Sequence, residues 1–316
     1  MTFDLISMGR SSLDLFGDEL GADFADLSGF RAFVGGSPTN VCVAARRLGL
    51  RTAMFTGVGD NYVTQFITRF LAREGIVTDF VLPKPGHMTN AVMVALQPPD
   101  QMQFVAYGAN NADLQLTIAD VQRVPLHQAR AFQFSGMGLI SEPSRSATQY
   151  AAETARGHGV TVFMDLDYRM QMWPNAETYG ICARVTLPLV DMAVGTEEEV
   201  MAAAGCDSVE AAAERLLGLV HKALVVKQGE RGSTVYTREG LVQAVPPFRV
   251  TVVNFLGAGD AYLGGFIYGV LNEWPLARAA RFGNACGAMI VTEHGTANAM
   301  PTLEAVYAFI AANGGF

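Results

Sequence analysis

One run of residues, at positions 254–262, combines small residues with a carboxylate in a way that suggests chemistry. Gly257, Ala258 and Gly259 carry little or no side chain, so the N–H groups at the start of a following helix would be open to an anion. Asp260 comes directly after them. A carboxylate there suits a general base that takes a proton from the group attacking the anion, as in phosphoryl transfer. The alternative is that Asp260 only caps the helix.

This run is predicted to be a turn between a strand and a helix. The residues before it, at 250–253, are Val-Thr-Val-Val, and such β-branched runs favour a buried strand. The residues at 261–271 are apolar over the length of a helix.

A second motif, Gly-Gly-Ser-Pro-Thr-Asn, begins at Gly35. Ser37 as N-cap and Pro38 as the first helical residue predict a helix here. Gly35 and Gly36 would let a ligand approach the backbone closely, and Asn40 on the first turn offers a polyol both a donor and an acceptor. The alternative is an ordinary turn before a helix.

Strand-like and helix-like stretches alternate from position 129 to position 227. Such alternation predicts an α/β fold in which helices cover both faces of a parallel sheet. Ligands of such sheets collect at the carboxyl ends of the strands. Polar residues follow three predicted strands at such ends: Asp165, Asp167 and Arg169 after one, Lys227 and Gly229 after another, and Asp260 after the third.

Two further stretches could lie against a nucleotide. Lys227 begins a turn that contains Gly229 and Gly232, where a ligand could approach the backbone. Asn284 belongs to a predicted helix at 279–291, whose small residues would suit a flat ring. Close packing of this helix against another is the alternative.

The first third of the chain holds the clear candidates for antiparallel strands, in segments at about 12–34 and 88–108 with a hairpin turn at 98–100. We expect these segments to form a small β-lid outside the main sheet of a single domain, 1–316. Because exposed lid strands can pair between subunits, a homodimer through the lid is a further expectation.

The composition argues against several classes of protein. The net charge is −8, and Lys and Arg form no cluster beyond pairs such as Arg46-Arg47, so a nucleic-acid surface is not indicated. No apolar run reaches the ~18 residues of a membrane span, and the first residues lack the basic start of a signal peptide. We therefore expect a cytoplasmic protein without a membrane partner. The cysteines and histidines show no metal-site spacing.

Taken together, the Gly-Gly-Ser-Pro-Thr-Asn motif and the Gly-Ala-Gly-Asp motif, in this order and at this separation, resemble the two signatures of the ribokinase-like (phosphofructokinase-B) sugar kinases. The resemblance covers essentially the whole chain. It implies a three-layer α/β sandwich with a mostly parallel sheet and a small β-lid. It also implies ATP and Mg²⁺ as cosubstrates and phosphorylation of a sugar hydroxyl.

By this resemblance Asp260 is the base, and Gly257, Ala258 and Gly259 form the anion hole. The resemblance also implies two sets of binding residues, which are Asp14, Gly35, Gly36, Asn40 and Tyr107 for the sugar, and Lys227, Gly229, Gly232 and Asn284 for ATP.

A finer likeness is to the kinases of keto-deoxy sugar acids, namely the 5-dehydro-2-deoxygluconokinases and the 2-keto-3-deoxygluconate kinases. It rests on the runs at 8–15 and 165–169 and on Trp173. Arg169 would suit a substrate with a carboxylate or ketone, which an arginine binds by paired donors. The alternative for Arg169 is an ion pair with Asp165 or Asp167.

The sequence departs from the family pattern in three places. The usual Asn-x-x-Glu, associated with metal and phosphate, begins with Gly195 here, so only Glu198 carries over as a metal residue. The run after Tyr107 lacks the Arg-Glu-Asn expected in the inositol-pathway kinases, which leaves the sugar open. Asn254 replaces the Asp common in relatives that bind a monovalent cation, so such a cation is a further candidate ligand.

Other functions remain as alternatives. A dinucleotide-dependent oxidoreductase needs Gly-x-Gly-x-x-Gly, but Tyr62 and Tyr262 stand where the third glycine should be. The Gly-x-x-x-x-Gly-Lys-Ser/Thr loop is absent as well. A kinase of a neutral ketohexose, such as fructose, or of a nucleoside would use the same motifs. A sugar-binding sensor without catalysis would keep Asp14 and Asn40 but would not need Asp260.

Overall fold

Strands alternate with helices along most of the chain. The structure, a computed structural model, describes residues 2–98 and 101–316. The strands are β1 (Phe3–Met8), β2 (Ser12–Gly17), β3 (Phe30–Gly35), β4 (Thr52–Val58), β5 (Val81–Pro83), β6 (Asn90–Gln97), β7 (Gln101–Tyr107), β8 (Ala129–Ser135), β9 (Thr161–Asp165), β10 (Met192–Thr196), β11 (Ala223–Lys227), β12 (Ser233–Thr237) and β13 (Val242–Val245). The α-helices are α1 (Ser37–Arg47), α2 (Tyr62–Arg73), α3 (Ile118–Val121), α4 (Ser144–Gly157), α5 (Ala176–Thr186), α6 (Glu197–Ala204), α7 (Val209–Leu217), α8 (Ala258–Leu271), α9 (Leu276–Ile290) and α10 (Leu303–Ala312).

The main sheet has nine strands in the order β13-β12-β11-β10-β9-β8-β1-β4-β5. The run from β11 to β5 pairs in parallel, and β12 and β13 extend it in antiparallel pairing. Alternate side chains enter separate cores: Leu5 packs with residues of α1 and α8, whereas Ile6 packs with residues of α4 and α5. Both faces are therefore covered by helices, which confirms the predicted three-layer α/β class.

A second sheet, called the lid sheet below, has the order β3-β2-β6-β7. Its outer pairs are antiparallel, but the central pair, β2 and β6, is parallel. The small sheet outside the main sheet agrees with the prediction, but the strands were expected to be antiparallel and the β2–β6 pair is parallel. Strand β7 is an edge strand with exposed residues on both faces. The turn predicted at 98–100 lies largely outside the described residues, and the dimer through the lid stays a prediction.

The strand predicted at 250–253 is wrong, because these residues form no strand. They follow Pro246 and Pro247, which have no N–H group to donate to a ladder. Val253 and Asn254 instead both donate their N–H groups to the carbonyl of Val291, after helix α9. The segment before α8 is thus an irregular wall held by a helix end.

The predicted N-cap of α1 also differs. Gly36, with φ of 95°, is the N-cap and makes no side-chain cap, and Pro38 is the second helical residue. The hydroxyl of Ser37 instead donates to Asp165 Oδ2 at 3.3 Å. Ser37 therefore joins α1 to the end of β9.

None of the helices in residues 2–98 and 101–316 is long and apolar enough to cross a membrane.

Asp4, near the start of the internal strand β1, forms ion pairs with residues next to it in the sheet. Its carboxylate accepts hydrogen bonds from Arg51 Nε at 3.0 Å and from Arg130 Nη1 at 3.3 Å, which tie β1 to both neighbouring strands. The hydrogen bond from Arg51 is the main cause that lowers the pKa of Asp4 from 3.8 to about 2.

We predict that Asp4→Asn lowers the free energy of unfolding at pH 7 by about 1 kcal/mol, a discounted value because solvent screens the half-exposed Arg51. A carboxyl whose folded-state pKa is lowered stabilises the fold above its unfolded pKa, and that stabilisation is lost as the pH falls toward the folded value. The difference between the two proteins should therefore shrink between about pH 4 and pH 2. Urea unfolding across this range measures it.

The matched control is Asp18→Asn, which removes an exposed ion pair of 3.6 Å with Arg31 in the lid sheet. Such a pair contributes about 0–1 kcal/mol, so we expect little change at any pH. A pH-independent loss in Asp4→Asn would show that packing, and not charge, holds this end of β1.

Candidate active site

Helix α8 begins directly after Gly257, which is its N-cap and adopts a left-handed conformation with φ of 81°. Gly257 makes no side-chain cap, so the N–H groups of the first turn are not satisfied by an N-cap side chain. The backbone here has the geometry that an anion needs. Asp260 is the third helical residue and does not cap the helix, which removes that alternative.

The carboxylate of Asp260 lies against α1. Its Oδ2 accepts a hydrogen bond of 2.8 Å from Asn40 Nδ2, and both residues are buried. Burial raises the pKa of Asp260 to about 7, and the charge of Asp165 adds to the increase, while the hydrogen bond from Asn40 opposes it. A carboxyl with a pKa near neutrality can accept or hold a proton at physiological pH.

A buried ion pair lies beside Asp260. Lys227, at the end of β11, donates to Asp165 Oδ1 at 3.2 Å, and Asp165 ends β9. Burial raises the pKa of Asp165 to about 6, against the opposing charge of Lys227. A Cβ on Gly259 would lie 2.8 Å from Lys227 Nζ, so the ammonium group is next to the start of α8.

A cavity of about 780 Å³ opens in front of this helix start. It is large enough for a nucleotide-sized ligand. The predicted site residues that line it are Gly257, Ala258, Gly259, Asp260, Arg169, Lys227, Gly229, Gly232 and Asn284. Gly232 also has a structural reason, since a Cβ there would lie 2.2 Å from the carbonyl oxygen of Val245.

The helix that carries Asn284 fits both interpretations given to it. Close packing is present, because a Cβ on Gly283 of α9 would lie 2.9 Å from the carbonyl oxygen of Tyr262 in α8. Gly287 and Ala288 of the same helix line the cavity as well. The amide of Asn284 donates to the carbonyl of Pro246 at 2.9 Å.

Apart from Arg169, the residues predicted for the sugar do not line this cavity. Asp14, in β2, accepts a hydrogen bond from Ser12 Oγ at 2.7 Å, and a Cβ on Gly35 would clash with its carboxylate at 1.8 Å. Burial raises the pKa of Asp14 to about 6. Tyr107 differs from these buried residues, because its side chain is 58% exposed at the end of β7.

Arg169 forms the ion pair that was its alternative interpretation. Its Nε donates to Asp167 Oδ1 at 2.9 Å, and its side chain is 54% exposed. Asp167 is buried and adopts φ of 39°, a conformation that is uncommon for residues other than glycine. Arg169 thus lies on the cavity wall with one donor already used.

The role of Glu198 as the metal residue stays a prediction. The side chain of Glu198 is exposed and does not line the cavity, whereas Glu199 does. Thr196 caps α6 in a reciprocal capping box with Glu199, which fixes the helical register and turns Glu198 outward. In the described residues no group of three or more His, Cys, Asp or Glu forms a metal site by itself.

Two of the three departures from the family pattern, Gly195 and Asn254, have local structural reasons. A Cβ on Gly195 would lie 2.7 Å from Leu166 Cδ1, so packing favours glycine there. Asn254 is buried and uses both ends of its amide: Oδ1 accepts from the N–H of Leu256 at 2.9 Å, and Nδ2 donates to the carbonyl of Gly295 at 2.8 Å. Asn254 therefore shapes the turn that leads into α8.

Sequence reasoning assigned no role to Arg10, Asp113 or Asn90, although all three are largely buried polar residues near Asp14. Arg10 Nε donates to Asp113 Oδ2 at 2.9 Å, and Asn90 pairs in register with Ser12. The only local signal was a polar run directly after the first strand, because the partners of Arg10 are about a hundred residues away in sequence.

We predict that Asn40→Ala raises the pKa of Asp260 by roughly one unit, because the lost hydrogen bond favours the charged carboxylate. Carboxyl ¹³C NMR titration measures this, with Asp260→Asn to assign the signal. The matched control is Ser12→Ala, which removes a hydrogen bond from Asp14 and should leave the Asp260 titration in place. An unchanged Asp260 titration in Asn40→Ala would contradict the observed contact.

Comparison with known proteins supports a kinase site. Residues 3–303 match the family model described as pfkB family carbohydrate kinase. The chain is 34% identical over 312 residues to the 5-dehydro-2-deoxygluconokinase of Geobacillus thermodenitrificans, which covers 97% of this chain and 93% of the relative. It is 33% identical to the enzyme of the same name from Clostridium perfringens, with 98% and 93% covered.

Two solved structures are similar over nearly the whole chain. A fructokinase from Xylella fastidiosa with bound ATP has a TM-score of 0.88 and 25% identity, covering 99% of both chains. A fructokinase double mutant from Vibrio cholerae, with bound fructose, ADP and potassium ion, has a TM-score of 0.87 and 26% identity, covering 98% of both chains.

Proposed function

Since the chain belongs to the pfkB family of carbohydrate kinases, we propose that it transfers the γ-phosphoryl group of ATP to a hydroxyl of a keto-deoxy sugar acid such as 5-dehydro-2-deoxygluconate. The observation that carries the proposal is the buried carboxylate of Asp260 at the start of α8, with a pKa of about 7. The names of the curated relatives support the substrate class.

Asp260 acts as the general base in this proposal. The sugar hydroxyl would lie within hydrogen-bond distance of its carboxylate and lose a proton to it as the hydroxyl oxygen attacks phosphorus. Asn40 holds the carboxylate in position through the 2.8 Å hydrogen bond. The N–H groups at Gly257, Ala258 and Gly259 face the charge that develops on the transferred phosphoryl group.

The cavity residues fit a nucleotide. Lys227 supplies a positive charge next to the helix start, and Gly229 leaves space along the backbone. Apolar residues of the cavity wall, Val250, Val252 and Ala288, would face a flat base. ATP supplies the phosphoryl group, and Glu199, one of the carboxylates on this wall, would hold a Mg²⁺ ion together with phosphate oxygens and water.

We predict that Asp260→Asn lowers kcat by about 10²- to 10⁴-fold and leaves sugar and ATP binding largely intact, because the amide cannot accept the proton. A coupled ADP-release assay measures turnover, and calorimetry measures binding of each ligand.

Asp207→Asn, an exposed carboxylate between α6 and α7, is the control and should turn over like the wild type. Normal turnover of Asp260→Asn would leave Asp260 a structural residue. A wild-type protein that binds sugar but transfers no phosphoryl group would favour the sugar-binding sensor.

A neutral ketohexose is the second candidate substrate, and the fructokinase structures at TM-scores of 0.88 and 0.87 favour it. A panel of keto-deoxy acids, ketohexoses and nucleosides with ATP separates the candidates by kcat/KM. Preference for fructose would replace the acidic substrate in the proposal but would leave the role of Asp260 unchanged.

We predict that sugar plus a nonhydrolysable ATP analogue slows hydrogen exchange in the lid segments, roughly Leu13 to Val34 and Thr89 to Tyr107. The lid sheet carries Asp14 beside the site, and phosphoryl transfer needs water to be excluded. Exchange mass spectrometry measures the effect, with the buried strand β9 as an internal control that should not change. Lid segments that exchange at the same rate with and without the ligands would count against closure.

A further inference from the structure

Arg10 is a buried cation in the sugar half of the site. We propose that it binds the carboxylate or carbonyl end of the sugar acid, and so selects acidic over neutral substrates. This assignment rests on the proposed function and adds a specificity residue to it.

Arg10 lies between β1 and β2 and is held by one side of its guanidinium. Its Nε donates to Asp113 Oδ2 at 2.9 Å, and the two side chains are only 12% and 5% exposed. Arg10 Nη2 is fully buried and has no hydrogen-bond partner among the described residues. A guanidinium group carries five N–H donors, and a buried donor without a hydrogen bond is energetically costly. The described part of the protein thus leaves this donor without an acceptor, and a bound ligand could supply one.

Acceptor atoms without partners lie in the same part of the structure. Asp113 Oδ1, Asn90 Oδ1 and Asn40 Oδ1 are buried, and within the described chain none of them has a hydrogen-bond donor. Acceptors of this kind suit sugar hydroxyl groups, and the free arginine donor suits a carboxylate or carbonyl oxygen. The combination therefore matches a polyol with one anionic or carbonyl end.

The position of Asp14 relates Arg10 to the catalytic carboxylate. Burial raises the pKa of Asp14, the charge of Asp260 raises it further, and the charge of Arg10 lowers it. The backbone gives the same proximity, because the carbonyl of Arg10 accepts a hydrogen bond of 2.9 Å from Thr39 Oγ1, and the next residue, Asn40, donates to Asp260. A sugar with its reacting hydroxyl at Asp260 would cross Asp14 and extend its other end toward Arg10.

Arg10 is better placed for this role than Arg169, the arginine that the sequence suggested. The side chain of Arg169 is 54% exposed, lines the nucleotide cavity and is paired with Asp167. A charge-assisted hydrogen bond is stronger where water is excluded, so the buried donor discriminates more strongly.

Two variants test the assignment. Arg10→Lys keeps a positive charge opposite Asp113 but loses the planar fork of donors. The double variant Arg10→Met with Asp113→Leu removes both charges, so that no carboxylate is left buried and unpaired. Thermal unfolding identifies which of the two is folded, and the folded variant is assayed. Arg169→Ala is the matched control.

The assay compares 5-dehydro-2-deoxygluconate with an analogue whose carboxylate is replaced by a hydroxymethyl group, both by KM and by calorimetric binding. We expect the Arg10 variant to raise KM and Kd for the acid by about 10- to 100-fold. For the neutral analogue and for ATP we expect changes below about threefold, and Arg169→Ala should leave the acid-to-neutral ratio unchanged.

An Arg10 variant with an unchanged acid-to-neutral ratio would overturn the assignment while leaving the proposed kinase intact. A loss of discrimination in Arg169→Ala instead would move the role to Arg169. A wild-type protein that phosphorylates neither compound would overturn the proposed function itself, because the wild type contains Arg10 and Asp113 unaltered.

Discussion

The burial of negative charge around the start of α8 is the constraint on which the rest of the site depends. Asp14, Asp165 and Asp260 are all at least nine-tenths buried, and buried carboxylates are costly unless they are paired. Compensation comes from Lys227, from Asn40 and from the open N–H groups of the helix start. These groups belong to different elements, and they meet because β9 and β11 end at the same edge of the sheet, next to the start of α8.

Close packing of α1 against α8, one helical turn from Asn40 and Asp260, positions these two residues against each other. A Cβ on Gly264 would lie 2.6 Å from the Cβ of Ala44, so α1 and α8 approach closely at this point. Ala44 follows Asn40 by four residues, and Gly264 follows Asp260 by four, so each pair shares a helix face. Small residues in the helix packing thereby determine a hydrogen bond between the two functional side chains.

The sequence predicted the fold class and brought Asp260, Asn40 and Lys227 into consideration, because these features depend on local patterns. Prediction from the sequence was less complete where contacts between residues far apart in the chain determine the structure. The β-branched run at 250–253 forms no strand, and on α6 the residue that lines the cavity is Glu199, one position after Glu198. The ion pair of Arg10 joins residues 103 positions apart, and no local pattern indicates it.

The segment after α9 connects the lid sheet to the turn before α8. Thr296 Oγ1 donates to the carbonyl of Val34 in β3 at 3.1 Å, and the adjacent Gly295 accepts from Asn254. Each of these hydrogen bonds contributes about 0.5–1.5 kcal/mol to stability, so a movement of the lid that broke one of them would also affect the turn before α8. If sugar binding closed the lid and thereby raised the affinity for phosphate, bound phosphate would raise the affinity for the sugar by the same factor, because such coupling is reciprocal.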